Sequence, residues 1–273
     1  MSELVTVSIV DGIADIRFNR PDKHNSLTLE MFDAINSAGE SVTDNPAVRV
    51  AVLSGNGPSF CAGLDFSIMA EMLKGPRDAR AVLDKLLARD GRADNRAQRN
   101  AVIWKTTAVP VIAALHGVAF GGGCQIALGA DLRIAAPDTR MSVMEIKYGL
   151  VPDMGLTQTL PDLVRLDVAK ELTLSGRVVD AAEALQLGLV TRIAEQPLAV
   201  AFDIARAIAA RSPHAVQASK RLLNEAWRAD ARTGLALEEE LQLALLGSPN
   251  QIEAVNAALQ KRAAIFADVG GAA

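Results

Sequence analysis

The run from Pro110 to Ala136, PVIAALHGVAFGGGCQIALGADLRIAA, constrains the fold more than any other stretch of the chain. A β-branched apolar segment of strand length, Val111 to Leu115, is followed by a turn at Gly117 and then by Gly121, Gly122 and Gly123 in succession. A small-residue helical pattern, Cys124 to Ala130, and a second strand-like run, Leu132 to Ala135, complete it. Glycine weakens helices, so a triplet needs a reason: positive φ, or close approach of another backbone or a ligand. A strand that delivers a glycine turn into a helix start presents free N–H groups and the positive end of the helix dipole. That arrangement suits a phosphate, a carboxylate or a transient oxyanion, with a tight packing corner as the structural alternative.

The remainder of the chain limits the classes open to it. With 273 residues, half of them apolar, it can bury a sizeable core, and its Ala- and Leu-rich, aromatic-poor composition reads as α/β. A net charge of −4 gives no case for nucleic acid or an anionic membrane. Ala108 to Ala130 carries no charged side chain and is long enough to span a bilayer. Pro110, Gln125 and five glycines interrupt it, so buried strand, turn and helix are expected there and no membrane span. Cys61 and Cys124 have neither metal-ligand nor disulfide spacing. The opening MSELVTVSIVDG lacks a basic stretch before an apolar one, so no secretion signal is expected and the cytoplasm is the expected location.

Along the chain, Leu4 to Val10 and Ile13 to Phe18 alternate around Asp11-Gly12, a hairpin signal. A helix is expected from Thr28 with Met31, Ile35 and Ala38 on one face, then a strand from Val48 to Leu53. A second glycine turn, Phe60 to Asp65, opens into a helix from Phe66 to Leu73. Lys74 to Arg99, with eight basic and four acidic residues, reads as a solvated helix-loop. Asp180 with Glu183 marks a helix start, Gly188 stops that helix, and Leu189 to Ile193 reads as the last strand. From Pro197 onward only helices are expected: Leu198–Ala210, Pro213–Trp227, Gly234–Leu246 and Gln251–Phe266. The pattern divides the chain into an α/β core, 1–196, and a helical C-terminal region, 197–273.

Five motifs in order now carry a resemblance over nearly the whole chain. They are Asn19-Arg20-Pro21 with Asn25-Ser26-Leu27; Ser54-Gly55 through Phe60-Cys61-Ala62-Gly63-Leu64-Asp65; Pro110 to Ala136; Met144-Glu145 with Gly149-Leu150-Val151-Pro152; and Glu183-Ala184 with Gly188-Leu189-Val190. The sequence resembles the crotonase superfamily, the enoyl-CoA hydratase/isomerase enzymes. The resemblance implies a crotonase-like spiral of ββα turns with a helical C-terminal trimerisation region, assembled as a trimer or a dimer of trimers. It implies an acyl-CoA thioester as substrate, its carbonyl held between the backbone N–H groups of Leu64 and Gly122 as an oxyanion hole. Lys23, Ala62, Gly63, Asp65, Phe66 and Gly121 fall where the family binds the substrate and its CoA portion. Lys261 and Arg262 are further candidates for its phosphates. No metal site and no separate cofactor are expected, because the thioester is itself the electron sink and coenzyme A is part of the substrate.

The catalytic side chains implied by the resemblance are Glu145, Asp153 and Gln125. Hydratases of the family use two glutamates, and this chain has Gln125 at the first position and Glu145 at the second. A carboxamide cannot take up a proton at neutral pH; it can only orient a group. Asp153 stands where typical hydratases have glycine, and with Glu145 it resembles the carboxylate pair of dienoyl-CoA isomerases. Two carboxylates close together in an apolar pocket have their pKa values pushed apart, one acid and one base. The expected activity is therefore double-bond isomerisation of an enoyl- or dienoyl-CoA by Glu145 and Asp153. Hydration by Glu145 with Gln125 orienting water is the alternative, and an acyl-CoA-binding protein without turnover is the reading from another class.

Overall fold

The computed structural model describes residues 4–270; residues 1–3 of the opening segment and 271–273 of the tail lie outside them. β1 (Val5–Val10) and β2 (Ile13–Phe18) pair antiparallel, Val5 opposite Phe18 and Val10 opposite Ile13. Asp11 and Gly12 take positive φ, 52° and 75°, giving the turn whose twist matches the flanking strands. Thr28 caps α1 (Leu29–Thr43) by accepting from the Met31 N–H, and Met31, Ile35 and Ala38 lie on its buried face. β3 (Val50–Gly55), α2 (Phe66–Met72), α3 (Pro76–Leu86) and α4 (Arg96–Thr106) follow. The central run supplies β4 (Val111–Leu115), β5 (Val118–Phe120), α5 (Gly122–Gly129) and β6 (Leu132–Ala135). Next come β7 (Arg140–Ser142), α6 (Leu156–Thr159), α7 (Leu166–Ser175), β8 (Val179–Asp180), α8 (Ala181–Leu187) and β9 (Arg192–Ile193). The tail is α9 (Pro197–Ala209), α10 (Pro213–Ala226), α11 (Ala231–Leu245) and α12 (Pro249–Leu259).

Six strands form one sheet in the order β1-β2-β3-β4-β6-β9, parallel after the opening hairpin, and three form a second in the order β5-β7-β8. The central strands of the large sheet are covered on both faces, which is why they read as unbroken apolar runs. Ala51, Leu53, Val111, Ala113 and Leu115 face the larger core, with α1, α4 and α5 packed there. The alternate residues Val50, Val52, Ile112 and Ala114 face α9, which presents Ala201, Ala205 and Ala209. Alanine at every fourth position lets α9 lie close against the sheet.

Three sequence expectations change on contact with the structure. The charged stretch before Arg99 contains α3 and the first turn of α4. Asn95 and Gln98 cap α4 reciprocally, and Ala97, Ala101, Ile103 and Trp104 behind them enter the core. The charge count hid this because the apolar face of α4 begins among the arginines. Of Leu189–Ile193, only Arg192–Ile193 pairs as a strand. The final helix ends at Leu259 rather than Phe266, and Lys261 just beyond it has a φ of 53°, a conformation no helix continues through.

Candidate active site

Three chain segments end side by side, and the candidate groups hang just past their ends. Cys61 bridges in parallel to Ala119 of β5, and Ala119 pairs with Met141 of β7. Leu64 lies three residues beyond Cys61, Gly122 three beyond Ala119, and Glu145 four beyond Met141. Sites in parallel α/β structures gather at such carboxyl ends because the connecting loops converge there.

The first turn is held by the Asn25 corner. Asn25 is fully buried; its amide donates to Asn56 O and Ser59 O, and its oxygen accepts from the Arg20 N–H. The Ala62 N–H donates to His24 O at 2.9 Å, fixing Ala62 beside the turn that contains Lys23. Leu27 N–H donates to Gly63 O at 2.8 Å and Asp65 N–H to Leu27 O at 2.9 Å, so Leu64 is the bridge residue opposite Leu27. Its own N–H points away from that pairing and has no hydrogen-bond partner among the described residues. Gly63 has a φ of 87°, and a side-chain carbon there would lie 2.6 Å from Phe120 O and 3.5 Å from Gly122 N. The two glycine turns therefore touch.

Gly121, at φ 51° and ψ −120°, turns the chain into α5 through a region open essentially to glycine alone. Gly122 is the first residue of α5, so its N–H has no carbonyl four residues back to bond. Gln125, one turn further, is fully buried with both ends of its amide engaged. Its Oε1 accepts from the Met154 N–H at 2.9 Å and its Nε2 donates to Glu145 Oε1 at 2.7 Å. Glu145 opens the 3₁₀ turn Glu145–Tyr148 directly after β7, and its Oε2 is buried with no protein partner. Burial pushes the Glu145 carboxyl up; its own backbone N–H and the Gln125 amide pull it back, and the Asp153 charge adds to the upward shift. Asp153 is exposed rather than enclosed with Glu145 in an apolar pocket, and the desolvation that remains raises its carboxyl as well.

The other sequence candidates stand around this centre. Asp65 caps α2 by accepting from the Ser67 N–H and hydroxyl, and also accepts from Ser26 Oγ and Arg20 Nη1. Burial alone would raise its carboxyl, but these four donors outweigh it and hold Asp65 well below the usual carboxylate range. Its side chain thus braces the Leu64 turn. Phe66 is exposed and meets Tyr148 edge to face at 6.3 Å, joining the start of α2 to the turn that carries Glu145. Lys23 is exposed, whereas Arg262 is committed to Glu253 at 2.6 Å. Burial pushes the Cys61 and Cys124 thiols up to about 12, so neither is a nucleophile at neutral pH. Sequence reading missed Met154, which acts through a backbone N–H and leaves no residue signature. It also missed the Arg20–Asp65 pair, although both residues lie in the segments that carry the family resemblance. A cavity of about 840 Å³ between α4 and the C-terminal helices contains none of these groups.

Residues 8–269 match the enoyl-CoA hydratase/isomerase family model. The chain belongs to that family. Members similar to it include the short-chain-enoyl-CoA hydratase of Clostridium acetobutylicum, 33% identical over 257 residues with 92% of each chain covered. The 2,3-dehydroadipyl-CoA hydratase of Escherichia coli is 32% identical over 271 residues, covering 97% of this chain and 99% of that one. Among solved structures, enoyl-CoA hydratase from Bacillus anthracis superposes with a TM-score of 0.86 at 28% identity, covering 96% and 98% of the two chains. As a hydratase/isomerase family member the chain is an acyl-CoA enzyme with the crotonase fold. No helix among the described residues is long and apolar enough to cross a membrane.

Proposed function

We propose that this enzyme moves a double bond in an enoyl- or dienoyl-CoA, with Glu145 as the proton-transfer residue and Asp153 as its partner. The thioester oxygen lies between the Leu64 and Gly122 N–H groups, and the CoA portion runs along Lys23, Ala62, Gly63, Asp65, Phe66 and Gly121. The observation that carries this reading is the buried, unpartnered Oε2 of Glu145 at the convergence of two turns with unbonded N–H groups.

Removing a proton beside a thioester puts negative charge on its oxygen. Two preorganised donors stabilise that charge, and losing one such donor costs about 100- to 1000-fold in rate. Glu145 takes the proton and returns it further along the conjugated chain, while Asp153 supplies a second acidic group for a dienoyl substrate. Isomerisation consumes no water, which matches a site where the first of the two hydratase glutamates is Gln125. Hydration is the second reading, favoured by the activities named for the similar proteins, with the spare Nε2 proton of Gln125 orienting water.

Purified protein assayed on crotonyl-CoA, a 3-enoyl-CoA and a 3,5-dienoyl-CoA separates the readings. Bond migration faster than hydration is expected, with Asp153→Asn impairing migration more than any residual hydration. Faster hydration of crotonyl-CoA would establish the second reading. Tight acyl-CoA binding without turnover of any of the three would make the protein a binder.

A further inference from the structure

The amide of Gln125 has a fixed polarity, and its surroundings leave it no choice of orientation. Its carbonyl end faces the Met154 N–H at 2.9 Å, a group that only donates, so its NH₂ end faces Glu145 Oε1 at 2.7 Å. Gly121 closes the same side: a side-chain carbon there would sit 3.4 Å from Glu145 Oε1. One oxygen of Glu145 is therefore held by a donor, and the other, Oε2, is buried without a protein partner. A donor that cannot accept keeps a proton off the oxygen it faces.

We propose that Gln125 is a positioning residue: it fastens Glu145 by Oε1 and makes Oε2 the sole proton-carrying atom of that carboxylate. The proposal deepens the proton-transfer reading and rests on it for the identity of the reaction. In the forward step an Oε2–H bond forms as the substrate C–H bond breaks and its electron pair enters the enolate. In the return step the Oε2–H bond breaks, the far carbon takes the proton, and Glu145 is ionised again. The step consumes no further reactant.

Glutamate at position 125 would change the arrangement in kind. The Met154 N–H still requires an acceptor, so the second carboxylate oxygen would face Glu145 Oε1 at hydrogen-bond distance. Two ionised oxygens that close must share a proton, and the pair then titrates in two separated steps.

The test uses full-length protein and reads the carboxyl directly. The ¹³C carboxyl titration of Glu145 is assigned by its absence in Glu145→Gln, and runs alongside the pH profile of kcat/KM on the CoA ester that turns over. Gln125→Leu removes the donor that favours the ionised form, so the Glu145 midpoint and the acidic limb should both move up by about one pH unit. Turnover should fall by about tenfold or more, the scale of a misplaced general base, with KM little changed. Gln125→Glu, nearly the same size, should add a second titration step to the Glu145 signal. A folded Gln125→Leu with an unmoved Glu145 midpoint overturns the proposal, and so does Gln125→Glu titrating in one step. Should Gln125→Leu fail to fold, Gln125→Glu decides alone. Titrations as expected, in a protein that moves no double bond, uphold the positioning role and sink the isomerase reading instead.

Discussion

Glu145 and Asp65 show how one kind of side chain is driven in opposite directions by its neighbours. Burial raises the Glu145 carboxyl, and the reaction needs it ionised, so activity should fall as pH drops through a midpoint above the ordinary glutamate value of 4.5. Glu145→Gln should lower turnover by about 100- to 10,000-fold, the contribution of a placed general base, while acyl-CoA affinity by calorimetry stays near the parent value. Wild-type turnover in that variant would remove Glu145 from the mechanism. Asp65 runs the other way. Its folded pKa lies below the unfolded one, so its stabilisation is present above about pH 4 and is lost as pH falls toward the folded value. Melting curves of the parent and Asp65→Asn should be furthest apart at neutral pH and converge in acid. A gap independent of pH would mean that the carboxylate charge plays no part in bracing the Leu64 turn.

Two adjacent glycines of α5 separate packing from chemistry at the level of the element. Alanine at position 123 would place its Cβ 2.3 Å from the backbone oxygen of Cys61, which cannot move without breaking its pairing to β5. Alanine at position 122 would meet Met154 Sδ at 2.7 Å and Leu27 Cδ1 at 2.9 Å, the yielding ends of side chains. Gly122→Ala should therefore fold, destabilised by about 1–3 kcal/mol, and lose activity as Met154 shifts, whereas Gly123→Ala should lose more stability or fail to fold. Urea midpoints in the reverse order would contradict this. These turns were legible from sequence because glycine is scarce in helices and their spacing is distinctive. So were the hairpin at Asp11-Gly12 and the cap at Thr28, where the chemistry is local. α4 was not, because its core face starts inside a charged run. Nor was the Gln125 bracket, because half of it is the Met154 N–H, and an N–H is the same whatever residue carries it.

Across the whole molecule the tail is anchored to the core by a buried cation. Lys220 of α10 donates to Trp104 O, Val109 O and Asp131 Oδ2 at 2.7–3.0 Å, and Asp131 also accepts from the Val111 N–H at the start of β4. Lys220→Met takes the cation from Asp131, which is half-buried and keeps only the Val111 N–H, and should cost about 1–3 kcal/mol in denaturation experiments. A loss under 1 kcal/mol would show that α10 docks without it. Beyond this anchor Leu223, Trp227, Leu235, Leu243 and Leu259 are exposed, Trp227 to 75%. From these exposed side chains we predict self-association, and light scattering is expected to give a trimer or a dimer of trimers. A monodisperse monomer at micromolar concentration would refute it. The row of chain ends at Cys61, Ala119 and Met141 has a further consequence for anyone wishing to redirect the enzyme. The polarising groups we propose are main-chain atoms set by strand pairing, so the exposed residues Tyr148 and Val151 can be randomised as a library without rewriting them. In the site proposed, what activates a thioester is then separate from what chooses it, and new acyl preferences should be reachable by changing only the latter.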